Sequence, residues 1–198
     1  MSWEVNTLMA GPDPETAARD TAEVGAPALI AAGATEATCW LGLTGQYMGV
    51  YAMQSRWDSL DTFATAMREL GAKASSDTTL GDVMSRWTPQ LRVVLAEVDT
   101  GGDCSGSHLM ASRFSATSPL VGTDRSIALG LANGINGARI LQAISGGEMT
   151  GQYIGSSYVD SLDTGAAFLA AAAADPQFQA DARAAGLTLE SRTLFARI

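Results

Sequence analysis

The stretch Gly49-Val-Tyr-Ala-Met-Gln-Ser-Arg-Trp-Asp-Ser-Leu-Asp-Thr62 decides the fold, because the chain repeats it as Gly151-Gln-Tyr-Ile-Gly-Ser-Ser-Tyr-Val-Asp-Ser-Leu-Asp-Thr164. The two copies align without gaps. Their identical pairs are Gly49/Gly151, Tyr51/Tyr153, Ser55/Ser157, Asp58/Asp160, Ser59/Ser161, Leu60/Leu162, Asp61/Asp163 and Thr62/Thr164. A long-period repeat is the mark of a duplicated structural unit. The sequence therefore predicts two similar halves.

Each half shows the same order of strand and helix patterns. In the first, strands are predicted at 2–10, 38–44, 48–57 and 91–98, with helices at 14–32, from Leu60 to Gly71, and through Val83 and Trp87. In the second, strands are predicted from Leu109 and at 139–145, 151–159 and 188–198, with helices at 119–136, 162–175 and 177–185. The order strand, helix, strand, strand, helix, strand is that of a ferredoxin-like unit.

The predicted division is a first repeat at 1–98, a glycine-rich, turn-prone linker at 99–104 and a second repeat at 105–198. Leu109-Met110-Ala111 is expected to repeat Leu8-Met9-Ala10. Helices cover one face of a ferredoxin-like sheet and leave the other bare, so two units can bury their bare faces against each other. We therefore predict an α+β fold in which two tandem ferredoxin-like (βαββαβ) units form a pseudo-dimeric α+β barrel.

The composition excludes several classes of partner. The net charge is −9, and Lys73 is the only lysine, whereas nucleic-acid binding depends on cations that neutralise phosphates. Nucleic acid and anionic membranes are therefore not expected as partners. Cys39 and Cys104 fall at non-equivalent places in the two copies, so a disulfide framework is not expected. Both are predicted to be free thiols in a reducing compartment. The start of the chain lacks a signal-peptide pattern, and the longest apolar tract is too short for a bilayer. A cytoplasmic protein is expected.

Asp160-Ser-Leu-Asp163, a following amphipathic helix with Phe168, and Asp175-Pro-Gln-Phe-Gln-Ala180 together resemble one branch of the dimeric α+β barrel superfamily, the antibiotic-biosynthesis-monooxygenase-like branch. The resemblance covers nearly the whole chain as two tandem units. That superfamily includes cofactor-independent oxygenases of polycyclic phenols, haem proteins, small-molecule isomerases and proteins of no assigned activity. The resemblance implies the fold, and fold alone does not select an activity.

Several single residues have both a structural and a functional interpretation. Asp58-Ser59 and Asp160-Ser161 are predicted to cap helices, because short polar side chains accept bonds from free N-terminal amides. Tyr51 and Tyr153 are either structural anchors or phenols that hold a ligand. His108, the only histidine, is either a structural residue or a functional one, a haem ligand or a general base.

An asymmetry between the copies suggests a ligand site. Trp40, Trp57 and Trp87 occur only in the first copy, where the alignment gives Gln142, Val159 and about Leu187 in the second. Aromatic walls with a few polar groups are typical of small-molecule pockets. We expect the cleft between sheet and helices of residues 1–98 to be the pocket, with packing as the alternative for each tryptophan. The candidate ligand-binding residues are Asn6, Trp40, Tyr51, Arg56, Trp57 and Arg92.

These patterns predict a small-molecule-binding barrel protein of unassigned activity. One hypothesis is a cofactor-independent monooxygenase that acts on an aromatic, phenolic substrate. Another is a non-enzymatic structural or carrier protein, and a third is a haem-binding protein that uses His108. Neither a cofactor nor a metal is expected, because the sequence lacks a glycine-rich phosphate fingerprint and a Cys/His cluster. Further homo-oligomerisation stays open.

Overall fold

The computed structural model describes residues 2–11, 13–86 and 88–198. The first half contains β1 (Trp3–Ala10), α1 (Pro14–Asp20), α2 (Ala26–Ala31), β2 (Glu36–Gly42), β3 (Tyr51–Trp57), α3 (Leu60–Ala74), α4 (Thr78–Ser85) and β4 (Thr88–Gly102). The second half contains β5 (His108–Ser115), α5 (Thr123–Ala132), β6 (Gly137–Ser145), β7 (Tyr153–Val159), α6 (Leu162–Ala174), α7 (Pro176–Ala185) and β8 (Thr188–Arg197). The predicted βαββαβ order of both halves is confirmed.

The strands form one closed barrel in the order β1-β3-β2-β8-β5-β7-β6-β4. Within each half the order is that of a ferredoxin-like sheet, and the halves join where β2 pairs with β8 and β4 with β6. Two apolar clusters lie between the sheets and their helices, and two more lie inside the barrel and contain strand and loop residues. The predicted pseudo-dimeric α+β barrel is confirmed. The bare sheet faces meet in its interior.

The segment predicted as a linker at 99–104 is strand as far as Gly102. Thr100 lies opposite Arg139 of β6, and Gly102 lies opposite Gly137. The glycines suggested a turn, but the backbone groups of this segment pair with the neighbouring half. Strand pairing therefore overrides the local turn preference, and β4 contributes a long seam between the halves.

The helices also differ in detail from the predicted ranges. The expected helix at 14–32 is α1 and α2 joined by a π-helical turn at Thr21–Gly25, in which the N–H of Ala26 donates to the carbonyl of Thr21. Pro27 then lies in the first turn of α2, directly after the π-helical turn. Helix α3 continues past Gly71, the predicted end, because a helical glycine with open space around it can be tolerated.

The helix caps follow the serines of the repeated motif. Ser59 Oγ accepts from the N–H of Asp61 at 3.1 Å, and Ser161 Oγ accepts from the N–H of Asp163 at 3.1 Å. The capping prediction is confirmed for the serines. Asp160 instead accepts from Asn136 Nδ2 at 3.0 Å, which joins β7 to the loop before β6.

Strand pairing also corrects the alignment of the first strands. Val5 lies opposite Ser55 on β3, and Met110 lies opposite Ser157 on β7. Since Ser55 and Ser157 are equivalent in the repeat, Met110 corresponds to Val5 rather than to Met9. The match of three apolar residues was misleading because a short motif does not determine strand register, whereas the buried face of the sheet does.

Candidate ligand site

The cleft between sheet and helices in the first half is filled by its own side chains. Tyr51 and Trp57 have no exposed surface, and Met53 is 4% exposed. The Trp57 ring meets Phe63 of α3 edge-on, with 5.4 Å between ring centroids. Ala18 of α1 is also fully buried and lets the helix approach this cluster closely. The expected pocket of residues 1–98 is therefore a packed core.

Three predicted site residues, Tyr51, Trp57 and Arg92, lie on this helix-covered face. The Arg92 guanidinium lies over the Phe63 ring at 5.8 Å from its centroid, and its Nε donates to Thr7 Oγ1 at 3.1 Å. Burial lowers the pKa of Arg92 and raises the pKa of Tyr51 to about 12. Tyr51 is therefore protonated at neutral pH and packs as an anchor.

The other three, Asn6, Trp40 and Arg56, belong to the opposite, barrel-interior face. Each donates a hydrogen bond there: Asn6 Nδ2 to Glu4 at 2.9 Å, Trp40 Nε1 to Gln54 at 3.0 Å and Arg56 Nη2 to Glu97 at 2.6 Å. Successive strand residues point to opposite faces, so the six candidates cannot line one cleft. Trp87 lies outside the described residues.

The register also changes the expected counterpart of Trp40. Trp40 lies opposite Ala52, and Leu141 lies opposite Ile154, the repeat equivalent of Ala52. The second-half counterpart is therefore Leu141 rather than Gln142. Both residues are buried inside the barrel, where they pack with other apolar side chains.

The barrel interior holds a buried charge network that sequence reasoning missed. Arg139 is 3% exposed, and its guanidinium lies 3.3 Å from Glu4 and 2.7 Å from Glu36. Burial alone would lower the pKa of Arg139, but Tyr158 and these carboxylates raise it overall. Gln54 Nε2 donates to both Glu4 and Tyr158, at 2.8 and 3.1 Å. The network links the halves. The sequence contains a signal for this network, because Arg139 is the one charged residue in the mainly apolar strand β6.

A cavity lies in the second half, between its sheet and helices α5, α6 and α7. Its volume is about 440 Å³, within the usual range for small-molecule pockets. Apolar side chains dominate its wall, among them Met110, Phe114, Ile127, Ile140, Phe168 and Phe178. Val121 and Leu189 also line it and are 51% and 53% exposed, so apolar surface continues to solvent.

Comparison of the halves explains why this cleft is open. The gap-free repeat places small residues in the second half where the first has large ones: Met53/Gly155, Trp57/Val159, Phe63/Gly165 and Leu70/Ala172. The first helix also differs. The second half is irregular from Ala116 to Gly122, and α5 begins only at Thr123 rather than at the predicted Pro119. The smaller side chains and the later start of the first helix in the second half together leave the cavity open.

An ion pair lies at the edge of the cavity. Arg125 Nη2 of α5 is 2.6 Å from Asp181 Oδ2 of α7, and the Arg125 hydrogen bond lowers the pKa of Asp181. Gly122 has φ of 65°, and a Cβ there would overlap the Asp181 carboxylate. The glycine therefore lets the loop pass close to the pair, which connects the two helices across the cavity.

Two arginines, Arg139 and Arg192, belong to the cavity wall, and Arg139 is paired with Glu4 and Glu36. Arg192 lies on β8, and its Nε donates to Ser112 Oγ of β5 at 2.9 Å. Burial lowers the pKa of Arg192, but an arginine stays cationic at neutral pH. The hydroxyls of Ser112, Ser126 and Ser157 are further polar groups in residues of the cavity wall. The cavity can thus hold an apolar body and a polar oxygen.

The described residues do not fit a haem site. His108 is the first residue of β5, its Nδ1 lies 2.9 Å from Ser107 Oγ, and it does not line the cavity. Among the described residues that do line it, imidazole, thiol and phenol groups are absent. Within the same residues, groups of three or more metal-ligating side chains are also absent. Over residues 2–11, 13–86 and 88–198, the helices lack the length and hydropathy needed to cross a bilayer.

Comparisons with known proteins agree with the geometry at the level of the fold. No protein-family profile and no curated sequence matches the chain. An anthrone oxidase-like protein of known structure is 15% identical, with 100% of this chain and 91% of the other covered and a TM-score of 0.57.

Two further structures are similar over the whole chain. A provisionally assigned monooxygenase from Lactobacillus acidophilus NCFM is 9% identical, with 100% and 92% coverage and a TM-score of 0.57. A mutant chlorite dismutase from Candidatus Nitrospira defluvii is 10% identical, with 99% and 90% coverage and a TM-score of 0.59. The chain therefore has the fold of a dimeric α+β barrel, with both units of the barrel in one polypeptide.

Proposed function

We propose that the protein binds a small, flat aromatic molecule in the second-half cavity. The observation that supports this most directly is the cavity of about 440 Å³ with a mainly apolar wall. Gly155 leaves a flat patch of backbone in that wall, beside Phe114, whose ring stacks on Tyr153 at 14° between planes. A flat ring matches such a surface better than a branched aliphatic group does.

The reaction proposed for the bound molecule is oxygenation without a cofactor. A methylene group beside an aromatic ring loses one proton to water, the resulting carbanion gives its electrons to O2, and the peroxide anion takes one proton back to form a hydroperoxide. Loss of water then leaves a carbonyl, so that one oxygen atom enters the substrate and the other leaves in water. Arg192 of the cavity wall would stabilise the anion, since its hydrogen bond to Ser112 holds the guanidinium in place before the charge develops. The names of the anthrone oxidase-like and monooxygenase neighbours agree with this chemistry.

Binding without turnover is the second candidate, because the cavity wall offers a poor general base. Asp181 is the one carboxylate among the described lining residues. It already accepts from Arg125 at 2.6 Å and from Gln177 at 2.9 Å, and its pKa is lowered. A carboxylate held in this way accepts a substrate proton weakly. A carrier of an aromatic molecule would need no such base.

The test is to fill the cavity with the side chain that the first half uses. Gly155→Met copies Met53, and Gly155 does not have a positive φ, so the substitution adds volume without backbone strain. Gly71→Met is the matched control, because it adds the same side chain to an exposed position of α3. We expect 2-naphthol, measured by calorimetry, to bind the wild type and Gly71→Met, and to bind Gly155→Met at least tenfold more weakly.

Oxygen uptake with anthrone then separates the two candidates. Oxygenation predicts uptake above the spontaneous rate in the wild type and Gly71→Met, and loss of it in Gly155→Met. Binding without any stimulated uptake would favour the carrier. Equal binding of 2-naphthol by Gly155→Met and the wild type would contradict the cavity as the ligand site.

A further inference from the structure

We propose that Arg192 is the specificity residue of the second-half cavity and selects the anionic form of an aromatic ligand, a phenolate or an aromatic carboxylate, whose ring lies against its guanidinium group. This inference rests on the proposed function and goes beyond it, because it names the charge of the ligand and the residue that recognises it.

The first argument is that Arg192 and Arg92 are structural equivalents. Arg92 lies opposite Thr7 in the β1/β4 pair, and Arg192 lies opposite Ser112 in the β5/β8 pair. Each Nε donates to the hydroxyl opposite it, at 3.1 Å for Arg92 and 2.9 Å for Arg192. The same hydrogen bond thus holds both guanidinium groups on the helix-covered face of their sheets.

The second argument is that the first half shows what normally covers this arginine. The Phe63 ring lies over Arg92 at 5.8 Å, a cation–π arrangement. The repeat places Gly165 where Phe63 stands, and a Cβ at Gly165 would meet just Met110 Sδ, at 3.9 Å. Within the described part of the chain, Arg192 has no aromatic ring above it. A ligand ring could take the place of the missing phenyl group.

The third argument is charge. Over the described residues, carboxylates within 4.0 Å of Arg192 are absent, although it lines a mainly apolar cavity. Asp181 lines the same cavity but pairs with Arg125. A solvent-exposed cation in the cavity wall without a counter-ion attracts a carboxylate or phenolate, and its planar fork suits two oxygen atoms. The net charge of −9 repels anions in general, so a preference for anions must arise locally.

The experiment compares 2-naphthoate with 2-naphthamide, which have nearly the same shape and differ in charge. Dissociation constants are measured by calorimetry at pH 7 for the wild type, Arg192→Gln and Arg92→Gln. We expect the wild type to bind naphthoate at least tenfold more tightly than naphthamide. Arg192→Gln should lose this preference and keep naphthamide binding. Arg92→Gln, altered at the equivalent place of the filled half, should keep the preference.

The outcomes separate this inference from the proposed function. Equal affinity of the wild type for both probes, or a preference that survives in Arg192→Gln, would overturn the role of Arg192 while the cavity stays the binding site. Failure of the wild type to bind either probe would overturn both proposals. The wild-type comparison requires no variant, so equal affinity for the two probes would overturn the inference even if Arg192→Gln does not fold. Arg192→Lys should then keep part of the preference, through its charge alone.

Discussion

The two halves of this barrel share one backbone plan and differ in what fills the space under their helices. In the first half, Tyr51 and Trp57 are fully buried and pack with the other side chains of the cleft. In the second, the same space is a cavity of about 440 Å³ with Gly155 in its wall. The strand order, the serine caps and the sheet arginines are nevertheless alike. The comparison shows that a fold and its binding site can be specified by different residues of one repeat.

The side chains of the second half are not smaller at every equivalent position. Phe168 takes the place of Ala66, so this position is larger in the second half although the four named above are smaller. Phe168 is 9% exposed and packs beside Gly130 of α5, to one side of the opening. One added ring cannot replace an indole, a phenyl group and two aliphatic side chains. Because interiors are otherwise closely packed, the remaining space is available to a ligand.

The largest difference that we expect between the halves is in thiol reactivity. Cys39 lies in the filled core, is 1% exposed, and burial raises its pKa to about 12. The thiolate is the reactive form, so at pH 8 about one Cys39 in ten thousand would be ionised. Cys104, in the loop between the halves, is partly exposed. Iodoacetamide at pH 8, followed by peptide mass spectrometry, should modify Cys104 at least a hundredfold faster than Cys39.

Denatured protein is the control for this labelling, because both cysteines should then react at similar rates. Comparable rates in the native protein would show that the first half opens readily, and the contrast between a filled and an open half would not hold.

The next largest effect should be on stability. Trp57→Ala removes a fully buried indole and should lower the free energy of unfolding by about 3–5 kcal/mol. Val159→Ala, at the equivalent place of the second half, removes much less buried surface and should cost about 1–2 kcal/mol. Urea denaturation measures both. Equal costs would mean that Trp57 is not tightly packed in solution.

The smallest effect should be the same in both halves. Ser59→Ala and Ser161→Ala each remove one helix cap and should each cost about 0.5–2 kcal/mol in thermal or urea unfolding. Asp58→Ala is the control, since the described residues give its side chain no capping bond, and it should cost less. Naphthol binding should not change in any of the three. Loss of binding in Ser161→Ala without loss of stability would assign that serine to the site instead.

Much of the fold could be predicted from local patterns. The repeated Asp-Ser-Leu-Asp sequence places a cap and a first turn after β3 and after β7, and both helices begin at the leucine. The predicted alignment of the first strands of the two halves was wrong. The motif Leu109-Met110-Ala111 matches Leu8-Met9-Ala10 as letters, but the strand pairs align Met110 with Val5. Register depends on which residues face a distant strand, and a short apolar motif does not contain that information.

The site illustrates the same limit. Aromatic residues suggested that the cleft of the first half binds the ligand. However, side chains such as Trp40 and Trp57 fill a core as readily as they line a pocket. The informative signal was the opposite one, the glycines and alanines that replace large residues in the second copy. Small side chains leave a cavity only when the neighbouring helices do not move into the free space. Whether they do depends on how α5, α6 and α7 pack.

The sequence by itself determined the two-unit barrel, because the repeat, the caps and the periodicity of apolar residues act within each unit over short distances. The tertiary structure alone decided that Asn6, Trp40 and Arg56 face the interior while Tyr51, Trp57 and Arg92 face the helices. It alone also decided that one arginine is covered by a ring and its counterpart lies open to a cavity. The physical reason is that these properties depend on distances between residues far apart in the chain, which are set when the barrel closes.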